Sequence, residues 1–114
     1  MAEIAKRRRE KWQVIWTEPA YDDITEIVEY INLDSKHYAS IVAQGIYDAG
    51  ESLSIFPLRG RIVPEFDRQD FREIFYQSYR VIYKIESERI AILAIVHSSR
   101  DIASLITKRP LDIN

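Results

Sequence analysis

The sequence predicts an α+β domain: a small, antiparallel-rich, four-stranded sheet with an N-terminal helical hairpin packed on one face. The order is β, α, α, β, β, β, with a short C-terminal helix. Three observations carry this. Residues 20–56 hold two amphipathic stretches at helical spacing. Residues 71–97 hold three runs rich in β-branched and aromatic residues, joined by short links. Between them lies Pro57-Leu-Arg-Gly-Arg-Ile-Val-Pro-Glu65, which Gly60 and two prolines mark as a turn-rich connection.

In chain order, residues 1–11 form a basic extension with Lys6-Arg7-Arg8-Arg9 and Lys11, and residues 12–109 form the domain. The extension is either a solvated tail or an arm that touches phosphate, as in DNA or ribosomal RNA. Trp12 to Trp16 alternates large apolar residues and predicts the first strand. Thr17 can cap the following helix, with Glu18, Asp22 and Asp23 near its positive end and Pro19 tolerated in the first turn. Ala20, Ile24, Ile27, Val28 and Ile31 share one helical face. Asn32-Leu-Asp-Ser35 interrupts it, and a second helix begins near His37. Its stripe runs Ala39, Val42, Ile46, Ala49, Leu53, Phe56, and Pro57 ends it. Gly45 and Gly50 each cost this helix on the order of 1 kcal/mol, which packing or close contact must offset.

Phe71–Tyr76 and Tyr79–Glu86 are separated by only Gln77 and Ser78 and should pair as a hairpin. Arg89–His97 follows, and its core Ile90 to Val96 is apolar on both faces, as an interior strand requires. Asp101 to Lys108 predicts the terminal helix.

Composition narrows the chemistry. A chain of 114 residues, 46% hydrophobic with 13 aromatics, can bury a core without metal or disulfide support. It has no cysteine, which excludes thiol catalysis and cysteine–zinc sites. Two histidines, His37 and His97, are too few for a histidine metal site, and no cofactor is expected. A net charge of −2 gives no global field for nucleic acid. No apolar run reaches about 18 residues and no signal-peptide pattern opens the chain, so a cytoplasmic protein without a membrane partner is expected.

Period-two alternation places Tyr79, Val81, Tyr83 and Ile85 on one face of their strand and Arg80, Ile82 and Lys84 on the other, while His97 falls with Ile95 and Leu93. If the hairpin covers one face only, Arg80, His97 and Arg72 can converge on the open face, overhung by Glu65. A carboxylate, an imidazole and arginines suit phosphodiester chemistry, and Arg80→Ala should leave a solvated face folded. The structural alternative pairs Arg80 with Glu65 or Glu73, makes His97 a satisfied strand-end group, and uses Tyr76, Tyr79 and Tyr83 for packing.

Pro57-x-x-Gly60-Arg61-x-x-Pro64-Glu65, Arg72-Glu73, Tyr79-Arg-Val-Ile-Tyr83 and Ile95-Val-His97-x-x-Arg100-Asp101 together resemble the RelE/ParE family of bacterial toxins, from about Val14 to Leu105. The resemblance implies the toxin of a type II toxin–antitoxin module, neutralised by a cognate antitoxin and reaching operator DNA as a complex. Relative to RelE-like ribonucleases, the chain keeps Arg80 but has Phe71 and Glu73 at the lysine positions and Leu105 at the tyrosine position. Relative to YoeB-like members, Glu65, Arg80 and His97 match, with Ser98 at the tyrosine position. His97 to Asp101 resembles the ending of ParE-like members, which poison DNA gyrase. The ParE-like side is favoured. The alternatives are a ribosome-dependent messenger RNA endoribonuclease using Glu65, Arg80 and His97, and a decayed toxin acting as co-repressor. Arg61, Arg72, Tyr76 and Arg100 are the expected contacts to substrate or target.

Overall fold

The computed structural model describes residues 11–108, so most of the basic extension, Lys6 to Arg9 included, lies outside the described residues. The elements are β1 (Gln13–Trp16), α1 (Glu18–Asn32), α2 (Lys36–Glu51), a single 3₁₀ turn (Ser52–Ser54), β2 (Arg61–Ile62), β3 (Phe71–Tyr76), β4 (Tyr79–Glu86), β5 (Arg89–His97) and α3 (Ile102–Lys108). The sheet order is β1-β5-β4-β3-β2, with β1 parallel to β5 and the other pairs antiparallel. The sheet therefore has five strands rather than four. The added strand is Arg61–Ile62, in the stretch expected to be connection only, which pairs with Glu73 and Arg72 at the sheet edge.

Local chemistry explains the helices. Thr17 caps α1 by accepting from the Ala20 N–H, and Ser35 caps α2 by accepting from the Tyr38 N–H at 3.0 Å. Ala20, Val42, Ile46 and Leu53 bury the hairpin's inner face against Ile74, Val81, Tyr83, Ile90, Ile92 and Ile95 of the sheet. The expected stripe stops short of Phe56, which is 64% exposed. The chain tightens to three residues per turn after Glu51 and carries Phe56 off the helical face. The two helical glycines admit aromatic rings from the strands. A Cβ at Gly45 would lie 2.0 Å from the Tyr76 ring, and one at Gly50 would lie 2.4 Å from the Trp16 ring.

The other face of the sheet is not open, contrary to expectation. Val63, Phe71, Ile82, Ala91, Leu93, Ala94, Val96, Ile102 and Leu105 form a second core there, with Phe66 packed against it. The terminal helix and the Val63–Phe66 loop thus roof much of that side.

β5 contains a bulge. Tyr83 pairs with Ile92 but Ile82 pairs with Ala94, so Leu93 is the extra residue. Leu93 and Ala94 both join the second core, and the alternation resumes with opposite parity. Ile95 returns to the hairpin side, and His97 stands opposite Tyr79. Past the end of β1, α1 holds the outer edge of β5. Thr17 donates to the Ile92 carbonyl and the Asp23 carboxylate accepts from the Ile95 N–H at 2.9 Å.

Gly60 anchors the loop before β2. Its N–H donates to the Tyr83 hydroxyl at 3.0 Å, and that hydroxyl donates to the Pro57 carbonyl at 2.8 Å. A Cβ at Gly60 would meet the Glu73 carbonyl oxygen and the Tyr83 oxygen, each at 2.6 Å. The first contact is backbone and cannot swing away. Gly60→Ala should therefore lower stability by about 1–3 kcal/mol through overpacking. Tyr83→Phe should lose a similar amount, about 1–3 kcal/mol, by leaving the Gly60 N–H without its partner. Urea unfolding measures both, and an unchanged midpoint for Gly60→Ala would show that this loop is not seated as described.

Candidate functional site

The most organised polar cluster sits on the sheet face away from the hairpin. Glu73 on β3 and Arg80 on β4 point to this side, because their neighbours Phe71 and Ile82 lie in the second core. The Arg80 Nε donates to Glu73 Oε1 at 2.5 Å. Its Nη1 and Nη2 donate to the two oxygens of Glu65 at 3.1 and 2.9 Å, a bidentate fork from the overhanging loop. Arg61 closes the other end, donating through Nε to Glu73 Oε2 at 2.6 Å while its guanidinium lies 5.1 Å from the centre of the Phe75 ring.

Burial grades this network. The Glu73 side chain is 0% exposed and that of Arg80 7%, against 34% for Glu65 and 58% for Arg61. Both of the sequence-level pairings for Arg80, with Glu65 and with Glu73, are thus made at once. Hydrogen bonds from Arg80 hold the Glu65 carboxyl below the usual carboxylate range, against a smaller opposing effect of burial. The same bonds, led by that to Glu65, raise the Arg80 guanidinium further above its already high value. An arginine so held is permanently charged, and its donors are directed at two carboxylates of its own chain.

The expected site residues are only partly brought together. Glu65 and Arg80 are in contact, as expected. His97 lies on the opposite side of the sheet, because the Leu93 bulge reverses the alternation that would otherwise group it with Arg80. There its ring meets that of Tyr79 edge-on at 5.7 Å, and its Nδ1 contacts the Ser99 hydroxyl at 2.8 Å. Arg72 faces away from Arg80, opposite Tyr83, and donates to the Gly60 and Gln69 carbonyls, both at 3.0 Å. Tyr76 presses its ring over Gly45. Arg100 is exposed in the turn after β5. Glu73, the buried centre of the cluster, was seen from sequence only as a partner for Arg80; a carboxylate flanked by Phe71 and Ile74 in a strand was the available signal.

Among the described residues no group of three histidine or carboxylate side chains could hold a metal ion, and no helix is long and apolar enough to cross a membrane.

Comparison with known proteins finds a family model, described as the ParE toxin of the type II toxin–antitoxin system parDE, that matches residues 14–102. Among solved structures, the chain is similar to a chromosomal ParDE toxin–antitoxin system from P. aeruginosa. That likeness has a TM-score of 0.65 at 20% identity and covers 76% of this chain and 96% of that one. It is also similar to a RelBE toxin–antitoxin complex from Mycobacterium tuberculosis, with a TM-score of 0.56 at 21% identity, covering 76% and 98%. Both are likenesses of fold. No curated protein matches the chain.

Two outcomes follow from the ion network. Because Arg80 is buried rather than solvated, Arg80→Ala should not leave the fold intact. It leaves the buried Glu73 Oε1 without its donor, with only the more exposed Arg61 still on Oε2, and should cost about 3–5 kcal/mol in denaturant unfolding; a wild-type midpoint would contradict the burial. For Glu65 the folded-state carboxyl titrates below its unfolded value. Its contribution is therefore complete above the usual carboxylate range and is lost as pH falls through and below that range. Unfolding midpoints from neutrality to about pH 3 should fall less steeply in Glu65→Gln than in wild type, and parallel curves would remove Glu65 as a source of acid sensitivity.

Proposed function

The chain belongs to the ParE family of toxins of type II toxin–antitoxin modules, and on that premise we propose that it arrests growth by poisoning DNA gyrase through surface contact, and that a cognate antitoxin neutralises it. The observation that carries this reading is the state of Arg80. A ribonuclease would need that guanidinium free to stabilise charge on the scissile phosphate, whereas here Glu65 and Glu73 take three of its five N–H donors and the side chain is only 7% exposed. It would also need its general acid within reach of the same phosphate, and His97 stands across the sheet. Contact with a protein target has neither requirement.

Support for an antitoxin comes from two directions. Both solved structures similar in fold belong to toxin–antitoxin systems. The chain also leaves large apolar side chains in the open, among them Ile55 at 58%, Phe56 at 64% and Leu58 at 65% exposure, which a wrapping partner would cover. The ribonuclease alternative retains the Glu65–Arg80 contact as its one structural support.

The test sets two assays side by side with purified toxin. Supercoiling by gyrase should be inhibited and ribosome-bound messenger RNA should stay intact. His97→Ala, a change at an exposed position, should leave growth arrest and gyrase inhibition unchanged. Messenger RNA cleavage by the wild type, reduced by about 10²-fold or more in His97→Ala, would replace this reading with the ribonuclease one. If a small open reading frame lies beside this one, its co-expression should restore growth; the absence of such a frame, or its failure to restore growth, would remove the antitoxin assignment.

A further inference from the structure

One flank of the helical hairpin, beside the end of β1, takes no part in the ion network. Where α1, α2 and the end of β1 meet, the surface holds a recess of about 170 Å³ lined by Trp16, Tyr21, Ile24, Ala43 and Tyr47. It is built with some care. The Trp16 indole seats over Gly50, where any Cβ would clash with it. It stacks on Tyr47 with ring centres 5.6 Å apart and planes 15° apart, and its N–H donates to the Glu51 carboxylate at 2.8 Å. Tyr21 and Tyr47 keep 66% and 49% of their surface exposed. A cavity of about 150 Å³ accepts a benzene molecule, so this recess suits the end of one side chain rather than a cofactor.

Charge selects the side chain. Between residues 18 and 51 the chain has eight carboxylates and one lysine, although the whole chain carries only −2. α1 has five acidic residues and no basic one. Four of these carboxylates, Glu18, Asp22, Asp23 and Glu26, line a separate depression on α1, and Glu51 bonds to Trp16 of the recess; the hairpin as a whole repels a phosphate backbone and an acidic peptide. An arginine fits on every count. Its aliphatic stem can lie along Ile24 and Ala43, its planar head can stack on a tyrosine or tryptophan face, and the Glu51 carboxylate, which accepts from the Trp16 N–H through one oxygen, is the charged group tied to the recess.

We propose that this aromatic recess receives an arginine side chain from a basic segment of a partner protein, docked along the acidic outer side of the hairpin. The proposal does not depend on the gyrase reading.

Two synthetic amphipathic peptides of alanine, leucine and arginine test it against the full chain by calorimetry, identical except that one carries citrulline, the neutral isostere, at each arginine position. The arginine peptide should bind about tenfold tighter or more. Tyr21→Leu with Tyr47→Leu keeps the lining apolar while removing two ring faces. That variant should weaken the arginine peptide about five- to thirtyfold and leave the citrulline peptide unchanged, with circular dichroism confirming the fold. Tyr21→Leu alone, at the more exposed position, serves if the double variant does not fold. Equal binding of the two peptides would overturn the proposal in favour of an apolar anchor. Arginine-peptide binding indifferent to the tyrosines would reduce the surface to diffuse charge attraction, and no binding by either peptide would remove it as a docking site. Self-association abolished by replacing Lys6, Arg7, Arg8 and Arg9 with alanine would overturn the partner assignment, because the occupant would be this chain's own arm.

Discussion

A fully buried carboxylate, Glu73, sets the terms for one side of this molecule. An ionised carboxyl cannot stay in an apolar strand environment without compensation, and here two arginines supply it, one from the neighbouring strand and one from the sheet edge. Arg80 brings more donors than Glu73 can use, and Glu65 accepts from two of the others. Charges therefore alternate from Arg61 through Glu73 and Arg80 to Glu65, and the alternation ties the loop before β3 to the centre of the sheet. That loop in turn brings Val63 into the second core and Phe66 against it. Packing and polarity on this face are one arrangement, in which the apolar roof and the ion network each hold the other in place.

How much of this was legible in the sequence depended on whether the signal was local. The hairpin was readable because its stripe from Ala39 to Leu53 repeats at a period only a helix produces, and Thr17 and Ser35 are plain caps. The β3–β4 hairpin was readable from two intervening residues. Arg61–Ile62 was not, since two residues between turn signals show no period; only the partner strand makes them a strand. The face of His97 was misjudged for a related reason. Alternation predicts sides only while the register is unbroken, and Leu93 lies in an all-apolar run where an added residue leaves no trace in the pattern. The contact between Glu65 and Arg80 was foreseen from chemistry, whereas the depth at which it lies depended on the terminal helix roofing a face expected to be bare.

The charge of the chain is divided in space as well as in sequence. The hairpin is strongly acidic, and among the other described residues ten lysines and arginines stand against seven carboxylates, so a total near zero conceals an uneven distribution between the two parts. Screening limits each to about 10 Å at ordinary salt, less than the longest dimension of the domain, 52 Å. Two ligands of opposite sign can thus approach different sides without competing for the same field.

The bulge at Leu93 bears on how such domains diverge. Between this arrangement and one with imidazole, guanidinium and carboxylate gathered on one face stands a one-residue shift of the β4–β5 pairing beyond Leu93, at unchanged chain length. No exchange of side chains is required. Two relatives could share Glu65, Arg80 and His97 letter for letter and still differ in whether those groups can ever meet. A change in the frame of pairing, rather than in residue identity, would carry the imidazole from one face of the sheet to the other in one step. A column-by-column comparison would count the two as the same.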